Sequence, residues 1–206
     1  MKVNVGSKSI NASLSTLTLL EFVKISNVLT KKTTDVLAWR DLFVSMGADA
    51  QEIEEMDVQD FALIVKEFIN NFSEKTKSEV FSTLSFDGIE YEVELKDTEP
   101  IDIKVNLLKQ TLMEKLMQGE NAPIMAVGIF FEDEKSKEAL GKIKAVTEVQ
   151  RNAKVKLAIS QAKKRAELFK NKPAHLFVGF MGKLLEQLNR KTESILQENE
   201  QTEVAK

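Results

Sequence analysis

Between Val80 and Leu95, two runs of alternating apolar and polar residues meet at Asp87-Gly88. That dipeptide tolerates positive φ at both positions, which a two-residue type I′ hairpin turn requires. The implied pairing sets Phe86 opposite Ile89, Leu84 opposite Tyr91, Ser82 opposite Val93 and Val80 opposite Leu95, all on one face. Ser85, Thr83 and Phe81 then share the other, wet face with Glu90, Glu92 and Glu94. A lone hairpin is marginal in water, so its apolar face must lie on helices or on the N-terminal strands.

Most of the remaining chain carries apolar residues at helical spacing. One helix runs from Leu17 to about Thr30, capped by Ser15 or Thr16, and Lys31 to Thr34 breaks it. A second carries Val36, Leu37, Leu42 and Phe43, with Trp39 and Met46, up to Gly47. An acidic link from Ala48 to Asp57 leads into a third, Val58 to Phe72, with Asp57 as cap and Asp60 as dipole partner. These three helices can pack as one small bundle. Ahead of them, Val3, Val5, Ile10 and Leu14 flank Gly6-Ser7-Lys8-Ser9, which suggests two short strands or an extended arm around a turn.

Pro100 opens a new unit, in which Asp102 is placed to cap a helix carrying Val105, Leu108, Leu112, Leu116 and Met117 until Gly119. The apolar run Ala122 to Phe131, with Pro123 at the first helical position, favours a buried helix, although Ile129-Phe130-Phe131 also suits a strand. Glu132-Asp133-Glu134 reads as a solvated loop. Ser136 to Asn171 reads as one long Lys-rich helix bent near Arg151, and Pro173 separates it from a last helix starting at Ala174. The expected fold class is mainly α (α+β): a helical bundle with one hairpin at about 80–95 and short N-terminal strands. The expected divisions are an N-terminal helical subdomain with the hairpin (1–98), a C-terminal helical subdomain with the basic helix (99–197) and a disordered tail (198–206).

The residue inventory narrows the chemistry. The chain has no cysteine and one histidine, so disulfides, thiol catalysis and most zinc chemistry are excluded. Gly179-x-x-Gly182-Lys183 is the nearest approach to a phosphate loop, but Phe177 stands at the first glycine's place and Leu184 at that of the Mg²⁺-binding hydroxyl. Its small residues read instead as a close helix contact. His175, just after Pro173, reads as a capping or partly exposed residue with no second histidine to share a metal. The expectation is no catalytic residue, no metal and no cofactor. There is no 18-residue apolar run, and Met1 to Ile10 lacks the apolar region of a signal peptide, so a cytoplasmic location away from membranes is expected.

Charge is unevenly distributed. Residues 135–172 hold twelve Lys/Arg against three Asp/Glu, whereas residues 48–100 hold fifteen acidic groups against four basic ones. One reading is that the two segments neutralise each other within the molecule and present a solvated helix face. The other is a basic helix that meets an acidic partner, densest at Lys163, Lys164 and Arg165, which are the candidate partner-binding residues. A cytoplasmic regulatory or nucleic-acid-associated protein using helix 135–172 is the alternative, although only Phe169 is available there for base stacking.

Leu17-Thr18-Leu19-Leu20-Glu21-Phe22, Leu42-Phe43-Val44-Ser45-Met46-Gly47, Pro123-Ile124-Met125-Ala126-Val127-Gly128, Glu167-Leu168-Phe169, Pro173-Ala174 and Gly179-Phe180-Met181-Gly182-Lys183-Leu184-Leu185 together span most of the chain. In this succession the chain resembles small assembly proteins of tailed bacteriophages, particularly tail assembly chaperones and related virion components. The lysine bias, 25 against four arginines, suits an AT-rich genome. The resemblance implies a non-enzymatic protein of the host cytoplasm, or of the virion itself. Its implied partners are other phage structural or tail proteins, such as the tape-measure protein, and it is able to form a homo-oligomer.

Overall fold

A computed structural model describes the backbone of residues 2–31, 34–73, 79–96 and 102–204, and the side chains of those up to residue 190 other than 31 and 73. Two short strands come first, β1 (Lys2–Val5) and β2 (Lys8–Asn11), paired antiparallel with Val3 opposite Ile10 around a turn in which Gly6 has φ 59°. Glu52 holds this turn. Its carboxylate accepts the Ser7 N–H at 2.7 Å and fills the space that a Cβ on residue 6 would need.

Helix α1 (Leu19–Lys31) follows. Its cap is Thr18 rather than Ser15 or Thr16: the Thr18 N–H and hydroxyl donate to Glu21, and the Glu21 N–H donates back to Thr18 Oγ1 at 3.2 Å. A capping box satisfies two orphan donors at once, which a lone serine upstream cannot do. Helix α2 (Val36–Ser45) is capped by Asp35 and turns its Trp39, Leu42 and Phe43 inward, leaving Val36 and Leu37 exposed. The expected acidic link contains a short helix, α3 (Ala50–Glu54), because Asp49 caps it by accepting the Gln51 and Glu52 N–H groups. Asp57 caps α4 (Val58–Ser73) in the same way through the Gln59 N–H at 2.7 Å. Helices α1, α2 and α4 close on the β1–β2 hairpin around Trp39, Phe43, Phe61 and Phe68, whose rings meet mostly edge to face.

The second hairpin pairs β3 (Thr83–Phe86) with β4 (Ile89–Glu92) in the expected register, with Asp87 at φ 53° and Gly88 at φ 76°. The ladder runs on through the Val93 N–H to Ser82 O and stops there. Leu95 does not face Val80; it lies in β5 (Leu95–Lys96), paired with β6 (Asp102–Ile103). Asp102 is therefore a strand residue, and α5 (Leu107–Leu116) is capped by Asn106. Helix α6 (Ala122–Phe130) carries Pro123 in its first turn and is buried along most of its length.

Glu132 and Asp133 form β7, the third strand of the sheet β3-β4-β7, with Tyr91 opposite Asp133 and Glu92 opposite Glu132. They are not a solvated loop. The expected long helix is two: α7 (Glu134–Gly141), capped by Asp133, and α8 (Glu148–Phe169). The break precedes Arg151: α7 ends at its C-cap Lys142, and Thr147 and Gln150 form a second capping box that starts the α8 ladder. Helix α9 (His175–Val204) is the last described element and continues past Glu198, where the sequence places a disordered tail.

The buried residues form two cores. One holds β1–β2 with α1, α2 and α4; the other holds α5, α6, α8 and α9. Leu84, Tyr91 and Val93 belong to the second, so the hairpin packs with the elements that follow it. Conversely, Ala174 belongs to the first core, and its N–H donates to Leu17 O at 2.8 Å. Helix α1 supplies both, Ile25 to the first and Leu19 and Val23 to the second.

Candidate functional site

The ionisable groups that converge inside the fold do so where β7 meets α5 and α8. Gly128 makes this possible: a Cβ there would lie 2.8 Å from both the Ala166 N and Cβ atoms, so only glycine lets α8 come this close to α6. The facing side of α8 is lined by Ala158, Ala162 and Ala166, all buried. This is the close helix contact of the molecule that small residues create. Of the two glycines of the last helix that the sequence offers for that role, Gly179 is buried, whereas Gly182 has open space at its Cβ position.

Helix α8 thereby carries Arg165 inward. It is 5% exposed and its Nε donates to Gly128 O at 2.9 Å, meeting one of the carbonyls at the C-terminal end of α6 that lack intrahelical partners. Its guanidinium lies 3.9 Å from Asp133 Oδ2. From α5, Lys109 is 3% exposed, with Nζ 3.0 Å from Glu132 Oε2, 3.7 Å from Glu94 Oε2 and 5.5 Å from the centre of the Phe130 ring. Asp133 also accepts the Ser136 hydroxyl at 2.6 Å and the Ser136 N–H at 2.9 Å. Two buried cations thus face the two carboxylates of β7, Lys109 from a helix preceding the strand and Arg165 from one following it, although neither Lys109 Nζ nor Arg165 Nη1 makes a hydrogen bond among the described residues.

Electrostatics follows from this packing. Burial pushes the Arg165 guanidinium below its ordinary range, against the pull of Glu132, Asp133 and Tyr91. Burial alone would raise the Asp133 carboxyl, but the two Ser136 hydrogen bonds and the Arg165 charge outweigh it and hold the group low. Burial raises the Tyr91 hydroxyl, with Asp133 adding to the effect. A carboxyl held lower in the folded chain than in the unfolded one stabilises the fold above its unfolded value of about 3.9. That stability disappears as pH falls through the depressed folded value. Urea unfolding is therefore expected to lose stability on the acid side of about pH 4, and Asp133→Asn, which keeps a helix cap but removes the charge, is expected to flatten that acid limb.

The three candidate partner-binding residues separate. Lys163 and Lys164 are exposed, whereas Arg165 belongs to the interior just described and is withdrawn from any partner. The expected charge compensation is present at the hairpin: Lys137 Nζ is 2.7 Å from Glu92 and Lys172 Nζ is 3.6 Å from Asp87, joining the basic segment to the acidic one. Lys163 and Lys164 have no ion-pair partner among the described residues. With Val149, Ala153, Lys156, Ser160 and Glu167 they recur every three or four residues along the outward face of α8.

Gly179, Gly182 and Lys183 lie inside α9, with Lys183 paired to Glu186, so they form no loop able to cradle a phosphate. His175 opens that helix, and its Nδ1 is buried without a hydrogen-bond partner among the described residues. Among the described residues, no three acidic or histidine side chains come together as metal ligands, and no helix is long and apolar enough to cross a membrane. A shallow groove of about 230 Å³ between α1 and α2 is lined by Lys24, Asn27, Val28, Asp41 and Ser45, with Glu120 at its side. Comparison of the chain with protein-family models, curated proteins and solved structures gives no match.

Nothing in the sequence marks Lys109, while Glu132-Asp133 reads there as a solvated loop and the buried Arg165 as outward-facing. One signal was available: Ala158, Ala162 and Ala166 recur every four residues, marking a side of α8 thin enough to be packed closely, and Arg165 lies on that side.

Proposed function

We propose that this chain is a non-enzymatic bacteriophage assembly or virion-associated protein of the tail-assembly-chaperone kind, which acts by binding another phage structural protein. The observation that carries this reading is the outward face of α8. There Val149, 78% exposed, and Ala153 lead into Lys156, Lys163 and Lys164, a surface suited to a polypeptide with acidic and apolar residues. The ionisable groups inside the fold favour the same reading, because Lys109, Arg165, Glu132 and Asp133 are engaged with one another.

Co-expression with a tape-measure fragment tests it. The wild-type chain is expected to retain the fragment, and Lys163→Glu with Lys164→Glu to reduce retention several-fold at low salt while leaving the helical circular dichroism unchanged. Raising the salt should weaken the wild-type complex, since exposed charges are screened beyond about 10 Å at 0.1 M. Failure to retain any tail protein, combined with salt-sensitive binding of duplex DNA that the same variant abolishes, would sink this reading in favour of nucleic acid.

A further inference from the structure

The charge asymmetry is only partly resolved within the molecule. Glu92 and Asp87 of the hairpin find lysines of the basic segment, but among the described residues no ion pair joins residues 48–73 to residues 135–172. Two stripes of opposite sign are left facing outward. The acidic one lies at the end of α3 and along α4 as far as Glu67. Residues 48–67 hold seven carboxylates and one lysine; on α4 the exposed Asp60, Leu63 (63% exposed) and Glu67 recur at helical spacing on one face, and Glu55 is exposed at the end of α3. The basic one is the outward face of α8, where Lys156, Lys163 and Lys164 continue from Val149 and Ala153. Each surface therefore combines charges mostly of one sign with exposed apolar side chains, and the basic one is straight, because it follows a single helix. Over α8, Val149 to Lys163 spans about 21 Å at 1.5 Å per residue.

The stripes belong to different cores, α3 and α4 to the first and α8 to the second. Their complementarity is thus available between molecules. We propose that the occupant of the α8 stripe is the α3–α4 stripe of a second copy of this chain. The contact is heterologous, one face of one copy on a different face of the next, so it leaves a free acidic stripe at one end and a free basic stripe at the other. Such a contact adds further copies and either closes into a ring or runs on as an open chain. The area offered by two single-helix faces is small, which makes the association weak and concentration-dependent. The inference goes beyond the proposed assembly role but uses the same α8 face, so a second copy and a phage partner compete for it, while its test requires no phage partner.

Sedimentation of the purified chain alone tests it. At about 0.05 M salt the average mass is expected to rise with protein concentration, and at about 0.5 M salt the association is expected to weaken roughly tenfold or more. A basic-face variant (Lys156→Glu, Lys163→Glu, Lys164→Glu) and an acidic-face variant (Glu55→Lys, Asp60→Lys, Glu67→Lys) should each remain monomeric. An equimolar mixture of the two should associate again, since each then carries the charge that the other lacks. Where circular dichroism shows a reversal variant unfolded, Gln at the same positions takes its place and should weaken association without abolishing it. A single monomeric mass at every concentration in low salt overturns the inference. So does association that neither set of substitutions alters, or a mixture of folded variants that stays monomeric. Binding of duplex DNA by the α8 face with no self-association also overturns it.

Discussion

Replacing Arg165 by methionine, or Lys109 by methionine, is expected to destabilise the fold by about 3–5 kcal/mol, as removal of one partner from a buried ion pair does. The reason is asymmetry. Methionine fills much of the volume of either side chain, so little packing is lost, but Arg165→Met leaves Asp133 without its nearby cation and Gly128 O without its donor. Lys109→Met leaves Glu132, with a side chain 13% exposed, without its nearest cation and with only the more distant charges of Arg165 and Lys137 to offset its burial. Substituting Lys163 or Lys164 by methionine should change stability by no more than about 0.5 kcal/mol, because both are exposed. Urea unfolding of the four variants checks this, and equal effects at 163, 164 and 165 would contradict the inward position of Arg165. The double variant Arg165→Met with Asp133→Asn should cost less than the sum of its parts, since contacting members of one network do not act additively.

Glycine substitutions at two helical positions are expected to act with opposite sign. Gly128→Ala places a methyl group 2.8 Å from the backbone N of Ala166, and neither α6 nor α8 is able to yield locally because both are packed on the second core. Overpacking of this kind costs about 1–3 kcal/mol, and prising the helices apart also lengthens the Arg165 bond to Gly128 O, so the upper part of that range is expected. Gly182→Ala adds its methyl group to open space within α9 and should stabilise the chain by about 0.5–1 kcal/mol through helix propensity alone. Thermal unfolding of the two variants separates the roles, and a stabilising Gly128→Ala would show that the α6–α8 approach is looser than described.

These two expectations rest on features that the sequence showed unequally. Asp87-Gly88 fixed the register of the second hairpin because turn geometry is decided by the turn's own two residues, and Pro123 and the apolar run after it marked a buried helix for a similarly local reason. The proposed interaction surface was half legible: the lysines were plain in the sequence, but which of them point outward was not. Lys163, Lys164 and Arg165 are adjacent in the chain, and successive residues on a helix point about 100° apart, so three neighbouring cations cannot share one face.

By itself the sequence determined a mainly helical chain, the turn at Asp87-Gly88 and the separation of acidic from basic segments, all consequences of residues within a few positions of one another, while it left the N-terminal segment open between paired strands and an extended arm. Tertiary structure alone decided that Glu132-Asp133 would become a strand, that Asp102 would pair in β6 and not cap a helix, and that the hairpin would join the second core. It also decided that Arg165 would turn inward. Asp133 depends on Tyr91 and Arg165 on Gly128, partners distant in the chain, and even Asp102 depends on pairing with Lys96 and not on its own helical spacing; a local pattern carries no information about which segment will arrive to satisfy a buried charge or an open strand edge.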